Sequence, residues 1–363
     1  MHEHWPLHTL VPSRNVSAKK RLPFGSLFYY YFFMLVLGIE TTCDETAASL
    51  VRDGRDILSN VIASSADIHE KYGGVFPELA CRRHIDAIIP VIEEAIAQVD
   101  RSEIDLIAVA KGPGLIGALL IGMQAAKGLS LAWNRPLIGV NHVEAHLYGS
   151  MIGAPEPLLF PALGIVLSGG HTFLVKILDV GRYELLGTTV DDAIGEAFDK
   201  VGTLLGLSYP GGPRVEQLAK EGDPRRFSFK AGRVKKNPLD FSFSGLKTGV
   251  YYAIRDREIG HQEKADAAAS FQETAFADIV SKAVLAVSAF PCRSIYLGGG
   301  VCSNRRLRDL FAETFGSLPV FWPPQNLSLD NAAMIAGLGF HKFLKNPADP
   351  LDLDVKTRAI LGV

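Results

Sequence analysis

From Met34 onward, short apolar runs alternate with segments of helical periodicity. Leu35 to Ile39 and Ala47 to Val51 are compact runs bounded by polar residues, the pattern of buried strands, and an acidic turn joins them. Pro77 to Val99 repeats differently. There Ile85, Ile88, Ile92, Ile96 and Val99 recur at three and four residues, which predicts one apolar face of a helix. Ile104 to Ala110 predicts a strand that stops at Lys111-Gly112-Pro113-Gly114, followed by a helix of small residues through Gly117, Gly122 and Ala126. Leu137 to Val140 predicts another strand. Strands and helices in alternation are the mark of an α/β protein.

The pattern then recurs. Gly38-Ile39-Glu40-Thr41-Thr42-Cys43-Asp44-Glu45-Thr46 and Gly164-Ile165-Val166-Leu167-Ser168-Gly169-Gly170-His171-Thr172 both read strand, small polar turn, strand, with Gly and Thr at the same offsets. Ile295-Tyr296-Leu297-Gly298-Gly299-Gly300 echoes the unit from Ile107 to Gly114. Two lobes, each sending a hairpin turn into a shared cleft, make up the plan of the actin, sugar-kinase and Hsp70 (ASKHA) superfamily. The expected fold is therefore α/β, with duplicated lobes around a nucleotide cleft. Lobe I is expected over 34–157 plus 332–355, and lobe II over 158–331.

Composition adds limits. A chain of 363 residues with 48% hydrophobic content exceeds one typical core and can fill two. With 37 Lys plus Arg against 39 Asp plus Glu, any nucleic-acid contact must use a local basic patch. One candidate is the stretch from 223 to 243, read as an exposed inserted loop carrying Arg225, Arg226, Lys230, Arg233, Lys235 and Lys236. Its bland alternative is a solvated charge run. Cys43, Cys81, Cys292 and Cys302 form no CxxC pair, which argues against a disulfide framework and for a reducing, cytoplasmic setting. Residues 1–33 stand apart. Lys19, Lys20 and Arg21 precede an apolar run, but Pro23, Gly25 and Ser26 interrupt it, and cleavage within it would remove the first core strand. They are read as an upstream extension with Met34 as initiator, a targeting segment being the alternative.

Candidate chemistry begins at His142-Val143-Glu144-Ala145-His146, which follows a strand and opens a helix. Histidines four apart share a helix face and can reach one ion, or can simply cap and pack a helix end. The glutamate is not adjacent to the first histidine, so the HExxH arrangement of metallopeptidases is absent, and Glu144 would point off the shared face, poorly placed as a general base. Asp330, in Leu329-Asp330-Asn331, is the best third ligand, or else a helix N-cap. Two histidines and a carboxylate leave coordination positions open, a set that suits Fe(II) or Zn(II) alike. Ser168-Gly169-Gly170-His171, Gly211-Gly212-Pro213 and Gly298-Gly299-Gly300 could contact phosphate or nucleotide, or be tight turns. There is no GxxxxGK[ST] P-loop, and no GxGxxG follows the first strand.

Taken together, GIETTCDET, YGGVFPELACRRH, GPGLIGALLIG, NHVEAHLYG, LSGGHT, DDAIGEAFDKVG, YPGGP, FSFSGLKT, GGGVCSN and LDNAAMIA resemble the tRNA N6-adenosine threonylcarbamoyltransferase family, in order and from Met34 nearly to the C-terminus. The resemblance implies transfer of threonylcarbamoyl from threonylcarbamoyl-AMP to N6 of adenosine 37 in tRNAs reading ANN codons. It implies one divalent metal per subunit, taken as Fe(2+) with Zn or Mg as alternatives, held by His142, His146 and Asp330. Leu167, Ser168, Gly169, Gly170, His171, Asp199, Gly212, Glu216 and Asn304 fall at substrate positions, and Asp44 and Glu45 at a catalytic, phosphate-handling turn. A TsaB-like paralogue and a TsaE-like ATPase are the implied partners, without a membrane. Ala145 and Leu329 replace the family's common glycine and threonine beside the ligands. Arg82, Arg83, Arg225, Arg226, Lys235 and Lys236 are the charge-based candidates for tRNA contact. An ASKHA-type ATPase or small-molecule kinase, and a metallopeptidase, are the competing readings.

Overall fold

The computed structural model describes residues 8–9, 33–65, 69, 74–255 and 258–358. Most of the 1–33 extension thus lies outside the described residues. Its strand β1 (His8–Thr9) pairs antiparallel with Val61 and Ile62.

Two mixed sheets form the frame. The first contains β2 (Leu35–Glu40), β3 (Glu45–Arg52), β4 (Asp56–Ser64), β5 (Leu106–Gly112) and β6 (Leu137–Asn141), in the order β1-β4-β3-β2-β5-β6. The second contains β7 (Ala162–Leu167), β8 (Thr172–Asp179), β9 (Arg182–Thr188), β10 (Ile295–Gly298) and β11 (Val320–Phe321), in the order β11-β10-β7-β8-β9. Setting β1 aside, the two are the same sheet. In each, a strand pairs antiparallel with the next, that one with the third, and the first strand takes two parallel neighbours on its other side. The repeated motifs in the sequence are the first hairpin of each copy, and the echo of β5 is β10.

Nine helices cover these sheets among the described residues: α1 (Pro77–Ile96), α2 (Ile116–Trp133), α3 (His142–Ile152), α4 (Ile194–Leu204), α5 (Gly211–Ala219), α6 (Ser244–Ile254), α7 (His261–Ser288), α8 (Arg305–Thr314) and α9 (Ala332–Lys345). Of these, α2 alone is long and apolar enough to cross a membrane, and it packs on β5 and α1 with Leu119, Met123 and Ala126 fully buried.

One expectation for α1 needs correction. Ile88, Ile92 and Ile96 face the core, but Ile85 is 62% exposed, and the place inside is taken by His84. A buried imidazole must find partners, and His84 finds them in the turn after β2 and the start of β3, with Nε2 3.0 Å from the Cys43 carbonyl and Nδ1 2.8 Å from Thr46 Oγ1.

Two cores are expected from the composition, and the structure has a third apolar cluster that joins them. Val36, Ala108 and Val140 of the first sheet and Val166, Val175 and Tyr296 of the second meet around α3 and α9. Every residue of α3 is buried. This helix continues directly from β6, yet packs on β7 and β10 of the other sheet. A Cβ on Gly298 would lie 2.1 Å from the His146 carbonyl oxygen, so glycine there is what admits the helix. The glycines of the 298–300 turn thus serve close packing: Gly299, at φ +100°, abuts the Leu167–Ser168 backbone in the same way.

The 223–243 stretch also departs from a simple exposed loop. Its basic side chains are exposed, but Phe227, Phe229 and Leu239 pack on the core of the second lobe. Phe241 and Phe243 are fully buried, and Phe241 bridges to Thr189. Apolar anchors alternate with charges, leaving the charges outside.

Candidate metal centre and nucleotide cleft

The abrupt change from β6 to α3 fixes the two histidines. Asn141 caps the helix by accepting from the Val143 and Glu144 amides at 2.9 and 3.1 Å, so His142 is not the cap. His142 and His146 lie one turn apart on the same face, with ring centroids 4.6 Å apart. Asp330 approaches from the loop before α9, where Asn331 accepts from the Met334 amide. The capping role thus goes to Asn331 and leaves the Asp330 carboxylate free to face the rings. Its Oδ1 lies 3.5 Å from His142 Nε2 and 3.2 Å from His146 Nε2. One donor atom from each of the three residues falls within 4.8 Å of the others, the only such His/Cys/Asp/Glu convergence among the described residues.

The surroundings suit a cation. His142 Nδ1 donates to Glu40 Oε2 at 2.8 Å, because a carboxylate only accepts. In the neutral ring that places the Nε2 lone pair toward Asp330 and His146, the orientation that a ligating histidine takes from its carboxylate partner. Both nitrogens of His146 are buried without a hydrogen-bond partner, since the short approach of Asp330 is misaligned for one. Buried polar atoms left unsatisfied cost about 1–3 kcal/mol each, and a metal bound by Nε2 would relieve one of them. The fit is that of a divalent ion on two nitrogens and an oxygen. Electrostatics agree. Burial pushes His142 down, but Glu40 and Asp330 carry it up to about 9, so the site favours positive charge. Burial alone would raise Asp330, yet His142 and His146 hold its carboxyl well below the usual range. Burial, with His142 and His146, drives neighbouring His171 down to about 3, leaving it neutral.

Both hairpin turns reach this centre. From the first, Thr42 Oγ1 lies 3.2 Å from His142 Nδ1, and the Glu40 carboxylate also accepts from the Thr42 amide at 2.6 Å. Asp44 and Glu45 are adjacent carboxyl residues in this turn, and the Glu45 carboxyl is pushed up by burial, by Asp44 and by Asp330. Across the cleft, burial followed by Asp44 and Asp199 raises the Tyr209 hydroxyl. From the second turn, the His171 ring stands 6.5 Å from that of His142. Leu167 is buried at the end of β7. Ser168 is buried and closes the loop by accepting from and donating to His171. Gly169 and Gly170 are exposed, and a Cβ on either would meet nothing within 4 Å, so both backbones are open to a ligand.

The remaining candidate residues hold helix starts. Asp199 Oδ1 accepts from the amides of Gly211 and Gly212 at 2.8 and 3.2 Å, tethering the first turn of α5 to α4. Glu216 accepts from the Arg305 amide at 2.8 Å, beside Asn304, which caps α8 through the Leu307 amide and donates to Gln272 at 2.8 Å. Glu216 and Asn304 therefore meet at the N-terminus of α8. Glu144 points away from the face shared by His142 and His146, as expected, and accepts from Lys342 at 3.0 Å. Of the basic candidates, Arg82, Arg225, Arg226, Lys235 and Lys236 are exposed and Arg83 is half-buried. Arg82 and Arg83 sit on α1 of the first lobe, and the others on the second.

Sequence reasoning missed Glu40, Thr42 and Asp191. An acid directly ending the apolar run Leu-Val-Leu-Gly-Ile is the signal that could have found Glu40, because a buried charge needs a partner. Asp191 carries no such signal. It gathers the hydroxyls of Ser242 and Ser244 and the amides of Phe243 and Ser244, tying two distant motifs together.

Comparison with known proteins bears on the same residues. The family model of tRNA N6-adenosine threonylcarbamoyltransferase matches residues 56–337. The enzyme of that name from Protochlamydia amoebophila is 57% identical over 338 residues, covering 90% of this chain and 98% of its own. That from Carboxydothermus hydrogenoformans is 46% identical over 332 residues, with the same coverage. Among solved structures, full-length HypF in its phosphate- and nucleotide-bound form aligns with a TM-score of 0.57 at 15% identity, over 87% of this chain and 47% of that one. The HypF of T. kodakarensis gives 0.58 at 16%, over 86% and 48%. The likeness to HypF, of which this chain spans about half, is one of fold. The motif order, the duplicated lobes and the extent of the sequence match lead to one conclusion: this chain belongs to the tRNA N6-adenosine threonylcarbamoyltransferase family.

Proposed function

We propose that this chain transfers the threonylcarbamoyl group of threonylcarbamoyl-AMP to N6 of adenosine 37 in tRNAs reading ANN codons, releasing AMP. The observation that carries the reading is the convergence of His142, His146 and Asp330 beside the open Gly169–Gly170 backbone. The donor is a mixed anhydride. The N6 lone pair forms a bond to the carbamoyl carbon, the C–O bond to phosphate breaks, and its electron pair leaves with AMP. One N6 proton must also depart, and Asp44 and Glu45 are the carboxylates proposed to take it.

His142, His146 and Asp330 would hold one divalent ion per subunit, proposed as Fe(2+) with Zn or Mg as alternatives. When bound, it supplies positive charge to donor oxygens. The backbone of Leu167 to His171 is proposed to seat the adenylate. Asp199 and Gly212 would shape its pocket from α5, and Glu216 and Asn304 from the start of α8. Adenine N6 is a weak nucleophile, so docking of the tRNA must supply much of the rate. Arg82, Arg83, Arg225, Arg226, Lys235 and Lys236 are proposed as its phosphate contacts.

A TsaB-like paralogue and a TsaE-like ATPase are the proposed partners, in the cytoplasm. Ile85, Ile89, Ile116 and Leu120 leave an exposed apolar face on α1 and α2, and the paralogue is proposed to cover it. The peptidase reading loses its general base, since Glu144 is buried against Lys342.

The test is nucleoside mass spectrometry after incubating purified protein and partners with threonylcarbamoyl-AMP and tRNA. Modified adenosine is expected, and it should vanish with His142→Ala or Asp330→Ala. Full activity in either variant would refute the metal assignment. Phosphorylation of a sugar without tRNA would favour the kinase reading.

A further inference from the structure

The motif YGGVFPELACRRH supplies candidate tRNA contacts in Arg82 and Arg83, but its histidine is turned inward and has no part in the chemistry described so far. His84 is buried on α1, between β3 and the turn that carries Asp44 and Glu45. The Cys43 carbonyl, 3.0 Å from Nε2, can only accept, so Nε2 carries the proton. The neutral ring then accepts the Thr46 hydroxyl at Nδ1, 2.8 Å away. His84 thereby grips both ends of the acidic pair, at residues 43 and 46. A second buried histidine completes the clamp. His69 Nε2 lies 3.2 Å from Ser65 Oγ, and Ser65 holds the Asp44 carbonyl through its hydroxyl at 2.7 Å and its amide at 3.1 Å. Every hydrogen bond in this set ends on the backbone or flank of the turn. None reaches the carboxylates themselves; Glu45 Oε1 accepts separately from Ser64 Oγ at 3.3 Å.

The geometry points to His84, seconded by Ser65 and His69, as a positioning residue that fixes the direction of the Asp44 and Glu45 carboxylates. This rests on the transferase reading above. A turn of small polar residues has many backbone states close in energy, and each state aims the carboxylates differently. A misplacement of about 1 Å at reacting groups can cost on the order of 100-fold in rate. His84 touches neither substrate nor metal ligand, so its loss acts on kcat through the turn. Burial also holds its basicity below the ordinary histidine value, in keeping with a ring that stays neutral at pH 7.

The test compares wild type, His84→Phe and His84→Gln in the complete transferase assay, with circular dichroism and metal content measured on each. His84→Phe fills the space but offers no hydrogen bond. His84→Gln places an amide donor and acceptor about as far apart as the two ring nitrogens. Expected are a fall in kcat of tenfold or more for His84→Phe, KM for donor and tRNA within threefold of wild type, unchanged metal content, and recovery to within threefold of wild-type kcat in His84→Gln. A folded His84→Phe variant with wild-type kcat, or with its loss confined to KM, overturns the proposal. Absence of product from wild type overturns the transferase reading and this inference together, which separates the two failures. Should His84→Phe fail to fold, imidazole nitrogen NMR of the wild type decides. The neutral tautomer with the proton on Nε2 is expected at pH 7, and an imidazolium or the opposite tautomer excludes the clamp.

Discussion

The charge of Glu40, invisible from the surface, sets how His142, the first of the proposed metal ligands, presents itself. Its carboxylate is fully buried and accepts from two donors, His142 Nδ1 at 2.8 Å and the Thr42 amide at 2.6 Å. Glu40→Gln keeps the shape but replaces one acceptor with a donor. If the amide NH2 faces His142, the ring must move its proton to Nε2 and lose the lone pair that faces Asp330. If it faces Thr42, a buried backbone N–H is left without an acceptor. Either outcome forfeits a charge-assisted hydrogen bond worth about 1.5–3 kcal/mol. Loss of a comparable outer partner typically weakens metal binding about 10–100-fold, equivalent to about 1.4–2.7 kcal/mol. The assay is metal affinity by chelator competition on wild type and Glu40→Gln, with transferase rates at saturating and limiting metal. The variant should bind metal at least tenfold more weakly and regain much of its rate when metal is saturating. Affinity within twofold of wild type would refute the claim that Glu40 orients His142.

Other consequences follow from the packing. Gly298→Ala puts a methyl group against the His146 carbonyl, so thermal unfolding should show a loss of about 1–3 kcal/mol, with metal content reduced as α3 shifts. Asp191 is pushed up by burial, but the Ser242 and Ser244 hydroxyls and the Phe243 and Ser244 amides outweigh this and hold it below the usual carboxylate value. A depressed folded pKa gives stability that is present above the unfolded value near 3.9 and lost as pH falls below it. Asp191→Asn should therefore lower stability at pH 7, by about 1 kcal/mol or less because the side chain is exposed to solvent screening. The difference from wild type should close in acid unfolding curves below about pH 4. Neutralising Lys235 and Lys236 together should weaken tRNA binding for all sequences and flatten its salt dependence, the slope falling by about one for each phosphate left unneutralised. An unchanged slope would place the tRNA elsewhere.

Much of this was legible in the sequence, because local periodicity and turn chemistry are written residue by residue. The strands at Leu35 and Leu137, the helix opening at His142 and the recurrence of the first hairpin could all be read there. So could the histidine pair, since spacing of four on a helix fixes a shared face. Whether Asp330 caps its helix was not legible. A carboxylate before a helix can cap or ligate, and only the presence of Asn331 in the capping geometry released it. The seam of α1 was misread at Ile85 because periodicity counts apolar residues and cannot see that a histidine is needed inside. Asp199, Glu216 and Asn304 could be placed near a substrate by resemblance, but their bonds to helix starts appear only when α4, α5 and α8 are brought together. The sequence by itself determined the elements, the duplication and the residues proposed as ligands. The tertiary structure alone decided that α3 belongs to both lobes, that Glu40 backs His142, and that His84 holds the acidic turn. The physical reason is that buried polar groups find their partners across long sequence separations, and those pairings exist only once the chain has folded.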